Sequence, residues 1–404
     1  MKRIRSTLTN RGNISSIESA KFYSLVIGIM LLNTASPILG QNVEAPKNQI
    51  PPVQLSPRAQ VFIEKGWSDA SFTEGIAIIV NRTENWESRA VAMEMLHANR
   101  RKLNPDQMSH LLAEATTIAK DSKEDEALST VAIHTMGNVA LTMQELGQIS
   151  ATEAKKEFRF FMDSATNSQR AAYFRASAIN TLGILKVAEA TALLRDMLDE
   201  RVSMNVPDLS RPACLSLMRI DGEQAAPTLA QVLRKTSDAS VFGTAAFALG
   251  KIKNAESMIA LVESLERFPE SGSCDAALVG MEEVITDVLK NPEDPNLGYA
   301  IRATRHLWRE GQRERYFPLL RQILITASGV MRKASLDRLL EGASSLEFQQ
   351  EKQELVPILE AISDQSELGE YQERIRLRLS ATLLTPAAGN TVPVPPALKG
   401  KLLE

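Results

Sequence analysis

Leu182, Leu217 and Leu249 stand at the same place in three consecutive helix pairs, 35 and then 32 residues apart. That recurrence constrains the fold more than any other feature of the chain. In Arg175 to Leu198, the first helix sets Ala176, Ile179, Leu182 and Leu185 on one face. Gly183 follows Leu182, and a short turn runs from Lys186 to Glu189. The second helix gathers Ala190, Leu193, Leu194, Met197 and Leu198, with Thr191, Arg195, Asp196 and Asp199 opposite. Each helix has a single apolar stripe that it must bury against a neighbour. The design returns in Arg211, Ala213, Leu217 and Ile220 with Ala226, Leu229, Ala230 and Leu233. It returns again in Phe242, Ala245, Ala248, Leu249, Gly250 and Ile252 with Met258, Leu261, Val262 and Leu265. A period of about 20–50 residues is the signature of stacked repeats. A second landmark is a proline near the start of the second helix, at Pro227, Pro318 and Pro357, where the first turn needs no N–H bond.

The rest of the chain agrees more loosely. Glu87 to Asn99 pairs with Pro105 to Ala119, and Glu124 to Leu146 with Thr152 to Ser164. Ala276 to Leu289 reads as one isolated long helix. Leu297 to Glu310 pairs with Arg315 to Thr326, Val330 to Glu341 pairs with Glu351 to Ile362, and Tyr371 to Leu384 closes the array as a charged cap. Only Ile76 to Val80 imitates a strand, and its surroundings assign it to a helix. Aromatic residues are 5% of the chain, too few for the side chains sheets favour. For 404 residues one hydrophobic core would be large, a limit that a stack of nearest-neighbour units escapes. The expected fold is therefore all-α, an α-solenoid of antiparallel helix pairs over residues 59–384.

Two segments, Arg175-Ala176-Ser177-Ala178 with Leu182-Gly183, and Ala246-Phe247-Ala248-Leu249-Gly250-Lys251-Ile252, resemble the short HEAT repeats found also in phycobilin-lyase subunits. The resemblance is tight over 168–268 and looser over 85–165 and 298–380. It implies a superhelical stack whose second helices line a concave side. It says little about function, because such repeats serve many binding roles. Tetratricopeptide units want aromatic signatures at fixed places that this chain lacks.

The flanks differ from the array. Lys2, Arg3, Arg5, Arg11 and Lys21 precede an uncharged run of 19 residues from Phe22 to Gly40. Residues 1–40 read as a secretory signal cut after Gly40, with a retained N-terminal anchor through residues 22–40 as the rival reading. About 20 apolar residues are needed to span a bilayer, and Asn33, Thr34, Ser36 and Pro37 weaken this run. Residues 41–58 are a Pro-rich linker and residues 385–404 a Pro-rich tail. Without residues 1–40 the chain holds 41 basic against 48 acidic residues, net −7. An acidic, exported (periplasmic or extracellular) chain is a poor partner for nucleic acid. Membrane contact is expected only if the N-terminal segment is uncleaved.

No catalytic, cofactor-binding or metal site emerges from the residues. His97, His110 and His134 belong to successive helices and His306 lies far along the chain; no pair has the i, i+4 spacing of a helical zinc site. Cys214 and Cys274 lie about two repeats apart, where units stack on the order of 10 Å from one another; a bridge needs Cα atoms within about 7 Å, so both read as free thiols. Ser271-Gly272-Ser273-Cys274-Asp275 reads as an inter-helix turn, with Asp275 or Ser273 capping the next helix and His306 a helix pair away. The charge pattern is more informative. From Glu256 to Asp294 ten acids face two bases, whereas Arg302 to Arg338 carries nine bases against three acids. The blocks pair with one another, or the second docks an acidic protein through Arg315, Tyr316 and Arg321, residue types common at interface centres. The expected function is a non-catalytic protein-binding scaffold outside the cytoplasm, needing no cofactor. The alternatives are an enzyme or lyase-like enzyme subunit, a DNA-glycosylase-like solenoid, or a structural envelope component.

Overall fold

A computed structural model describes residues 54–342 apart from 69, 200–206, 269–270, 310–312 and 327–328. The signal or anchor, most of the Pro-rich linker, the Glu351–Ile362 helix with Pro357, the Tyr371–Leu384 cap and the C-terminal tail lie outside the described residues. Among the described residues every regular element is a helix and no strand forms, so the protein is all-α.

The helices are α1 Pro57–Lys65, α2 Ser71–Ile79, α3 Trp86–Ala98, α4 Pro105–Lys120, α5 Glu126–Glu145, α6 Ala151–Ala154, α7 Phe158–Thr166, α8 Ala172–Ile184 and α9 Thr191–Leu198. They continue as α10 Pro207–Asp221, α11 Ala226–Lys235, α12 Ala239–Ile252, α13 Ala255–Arg267, α14 Gly272–Val279 and α15 Glu282–Lys290, then α16 Leu297–Arg309, α17 Arg313–Thr326 and α18 Gly329–Gly342. The described residues fall into two compact units, one running to Thr228 with Thr236–Thr244, the other Leu229–Lys235 with everything from Ala245.

Local chemistry starts the helices of the first unit. Ser56 caps α1 through the Ala59 N–H, with Pro57 as its first residue. Asn85 caps α3 through Ser88 N–H, and Asp125 caps α5 through Ala127 and Leu128. Asn104 and Gln107 form a reciprocal capping box on α4, the arrangement that satisfies two otherwise orphaned donors. Within this unit α3 packs on α5, α5 on α8 and α8 on α10, while α4, α7 and α9 pack against α5, α8 and α10 respectively.

The close approach of these helices follows from the residue beside each buried apolar landmark. Leu182 is fully buried, and a Cβ on the adjacent Gly183 would lie 2.6 Å from the Ser216 Cα on α10. A Cβ on Gly137 of α5 would likewise lie 2.7 Å from Thr181 Cγ2 on α8. Hydroxyls then bond across the gap. Thr181 Oγ1 donates to the Ile133 carbonyl at 3.3 Å, and Ser216 Oγ donates to the Ile179 carbonyl at 2.9 Å. A guanidinium device also recurs: Arg89 Nε donates to the Ile79 carbonyl at 2.7 Å, and Arg175 Nε donates to the Ala165 carbonyl at 3.0 Å. Each arginine reaches ten residues back to the end of the preceding helix, where a carbonyl lacks a helical donor. In the second unit, Gly250 similarly meets Ala277 of α14, and α16 packs against α13, α14, α15, α17 and α18.

Five sequence expectations change. Thr152 to Ser164 is not one helix but falls in α6 and α7, separated by Lys155–Glu157. Pro57 does not belong to an irregular linker but opens α1, because Ser56 caps it. The Ala276–Leu289 helix is two helices, α14 and α15, separated by Gly280 and Met281. Pro318 is the sixth residue of α17, not a first-turn proline. Residues 272–275 are no turn: Gly272 begins α14, Ser271 holds the N-cap place, and Cys274 and Asp275 lie in the first turn. Elsewhere Ile76–Ile79 is helical, as its context implies, and Cys214 and Cys274 are free and buried.

Candidate functional site

In the first unit, two histidines meet one carboxylate. Glu94 and His97 sit three residues apart on α3, a spacing that places both on one face. His134 comes from α5, which packs along α3. His97 Nδ1 is 3.2 Å from Glu94 Oε2, and His134 Nδ1 is 3.8 Å from Glu94 Oε1. The imidazoles meet edge to face, with centroids 4.9 Å apart. Glu94 and His97 are buried, while the His134 side chain is 34% exposed.

The electrostatics favour an ionised Glu94. Burial by itself raises its pKa, but the His134 and His97 imidazoles beside its two oxygens outweigh burial and bring it to about 2. Beside it, Arg100 Nε donates to Thr142 Oγ1 at 2.9 Å and its Nη1 donates to the His97 carbonyl at 3.1 Å. Burial, then Arg101, lower the Arg100 pKa, opposed by Glu145 and Glu94. The His97 Nε2 is buried without a hydrogen-bond partner. One donor atom from each of Glu94, His97 and His134 lies within 4.8 Å of the other two. The set can share protons or hold a cation.

His97, His110 and His134 follow one another on successive helices with no ligand spacing among them. Folding separates the third member: His110 packs edge to face on Phe72 and lies 3.5 Å from Glu114. The signal that was present, Glu94 three residues before His97, is a carboxylate–imidazole spacing rather than a histidine pair. His306, expected a helix pair from Asp275, is ion-paired with it. Packing of α14 on α16 brings the two together.

Of the predicted docking residues, Tyr316 is not on an exposed face. Tyr316 is fully buried, because α17 packs on both α16 and α18. It is a core residue and cannot present its ring to a partner without opening that packing. Arg321 is half-buried, and the Arg315 side chain lies outside what is described. The acidic and basic blocks also touch. Arg302 pairs with Glu266 and its guanidinium lies 4.3 Å from the Tyr299 ring centroid, while Tyr299 donates to Glu263 at 3.3 Å. Both cysteines are chemically quiet, since burial pushes the Cys214 and Cys274 thiols up to about 12. Among the described residues no helix is long and apolar enough to cross a membrane. No protein-family model matches the sequence, and no characterised protein matches it.

Proposed function

We propose that this chain is a non-catalytic helical-repeat scaffold, exported from the cytoplasm, that binds a protein partner. The observation supporting it most is the repeated junction of the first unit. There the α3–α5–α8–α10 series packs in succession, tied at α5–α8 and α8–α10 by hydroxyl-to-carbonyl bonds, while arginine-to-carbonyl bonds tie α3 to α2 and α8 to α7. Stacked units of this kind bury their shared faces and leave long outer faces free for recognition. The charged leader with its 19-residue uncharged run supports export.

In this reading the Arg302–Arg338 segment docks an acidic protein surface, with Arg315 and Arg321 as the contact residues and Tyr316 as support beneath them. Arg302, neutralised by Glu266, is left out of the docking residues. Solution scattering tests the solenoid: the radius of gyration should exceed the ~21 Å of a compact domain of this length, and a value there excludes an extended stack. The double variant R315E/R321E should keep the helical circular-dichroism spectrum and lose salt-sensitive capture of the partner. Unchanged capture by the folded variant removes the arginines from the binding surface.

A further inference from the structure

We infer that Glu94, His97 and His134 form a binding site for one divalent transition-metal ion of the zinc class. The inference rests on the first unit alone and stands or falls separately from partner binding.

The donor set is two imidazoles and a carboxylate, the composition that suits zinc and its neighbours rather than calcium or magnesium. A carboxylate and an imidazole three residues apart on one helix, completed from a facing helix, is how helical bundles present metal donors. Here α3 supplies the pair and α5 the third group. Tetrahedral zinc places its donors about 3.4 Å apart, given bonds of about 2.0–2.2 Å. The carboxylate faces the two imidazoles with different oxygens, Oε2 at 3.2 Å from His97 Nδ1 and Oε1 at 3.8 Å from His134 Nδ1. The widest separation in the set is at most 4.8 Å. Closing it takes a displacement on the order of 1 Å at these bond lengths, which rotation of the part-exposed His134 can supply.

Burial supports the same conclusion. A polar atom shut away from water normally has a partner, and an exception points to an ion or a chemical role. The His97 side chain is 9% exposed; its Nδ1 faces Glu94 at 3.2 Å, and its Nε2, the other ring nitrogen, is a further buried donor atom without a partner. Glu94 receives imidazole neighbours on both oxygens, and among the described residues no arginine or lysine forms an ion pair with it. The Arg100 guanidinium, which feels the Glu94 charge, is engaged by Thr142 and the His97 carbonyl, so the carboxylate remains available. The Arg100 charge nevertheless disfavours a second cation nearby. With only three protein donors and His134 reaching solvent, affinity should be weaker than at a closed four-ligand structural site, with water completing the coordination.

The test uses the full-length chain, stripped of metal and titrated with Zn²⁺ by calorimetry and with Co²⁺ by visible absorption. One equivalent should bind, and Co²⁺ should give the intense visible bands of a low-coordinate nitrogen–oxygen site. His134→Ala and Glu94→Gln should each weaken binding by about 100-fold or more, while His110→Ala should leave it unchanged. His134 is part-exposed, so H134A should keep the wild-type circular-dichroism spectrum even if His97→Ala does not fold. No saturable binding overturns the inference. So does one equivalent that persists in H134A and E94Q, or that is lost in H110A.

Discussion

Replacing Arg89 by Met should destabilise the first unit by about 3 kcal/mol, near the low end for breaking a buried ion pair. Arg89 Nη1 and Nη2 donate to the two carboxylate oxygens of Glu124 at 2.6 and 3.1 Å, and its Nε donates to the Ile79 carbonyl. The two side chains are only 7% and 8% exposed. Loss of the guanidinium therefore strands a buried carboxylate and a helix-end carbonyl together. Truncating one partner of such a pair typically costs about 3–5 kcal/mol. Arg82 Nη2, 3.7 Å from Glu124 Oε1 and mostly exposed, can swing inward and holds the expected loss to the lower figure. At about 2–4 °C per kcal/mol for a unit of this size, the midpoint should fall by roughly 6–12 °C. Urea unfolding followed by tryptophan fluorescence suits the measurement, with probes that separate the units because two compact units need not unfold together. Trp67 and Trp86 belong to the first unit by sequence and Trp308 to the second. The double variant R89M/E124L should recover all but about 1 kcal/mol, the remainder being the Ile79 carbonyl that loses its donor. A loss below 1 kcal/mol for R89M, or a double variant as unstable as the single, would refute the assignment of this pair as the latch between α3 and the Glu124 turn.

Two further outcomes follow from packing. Gly183→Ala should destabilise by about 1–3 kcal/mol, since its Cβ would overlap the Ser216 backbone, whereas Gly272→Ala, with nothing within 4 Å of its Cβ, should be neutral or slightly stabilising; equal effects in thermal unfolding would show that α8 and α10 do not approach as closely as described. Cys214 and Cys274, with thiols at about 12, should resist alkylation in the native protein at pH 8 and both react after denaturation, because the thiolate is the reactive form; rapid native labelling of either would contradict its burial.

Sequence periodicity by itself determined the helical class and the position of most helices. A 3.6-residue stripe is a local property, visible without knowing what covers it. That is why the helices Ala172–Ile184 and Thr191–Leu198, and the buried Leu182, Leu217 and Leu249, are legible in the chain. The paired Leu-Gly steps at 182–183 and 249–250 carried their meaning only once the neighbouring helix was in place, since a missing Cβ matters where another backbone comes within 3 Å. Local reading failed where two weak signals competed, as at Pro57, where a capping serine turns a linker proline into a helix start.

The chemistry was decided by tertiary structure. Glu94 and His97 lie on one helix, but His134 arrives from another helix 37 residues later in the chain. The rotation of α5 against α3 alone determines whether its ring faces the carboxylate. The same holds for Arg89 with Glu124 and for Asp275 with His306, and for Tyr316, whose residue type suggests an interface while the packing of α16 and α18 around α17 buries it. An apolar stripe specifies which face of a helix turns inward. It leaves undetermined which polar groups at the stripe's margin meet across the gap, because that depends on interhelical angle and register, and those are fixed only by the packing of many side chains at once.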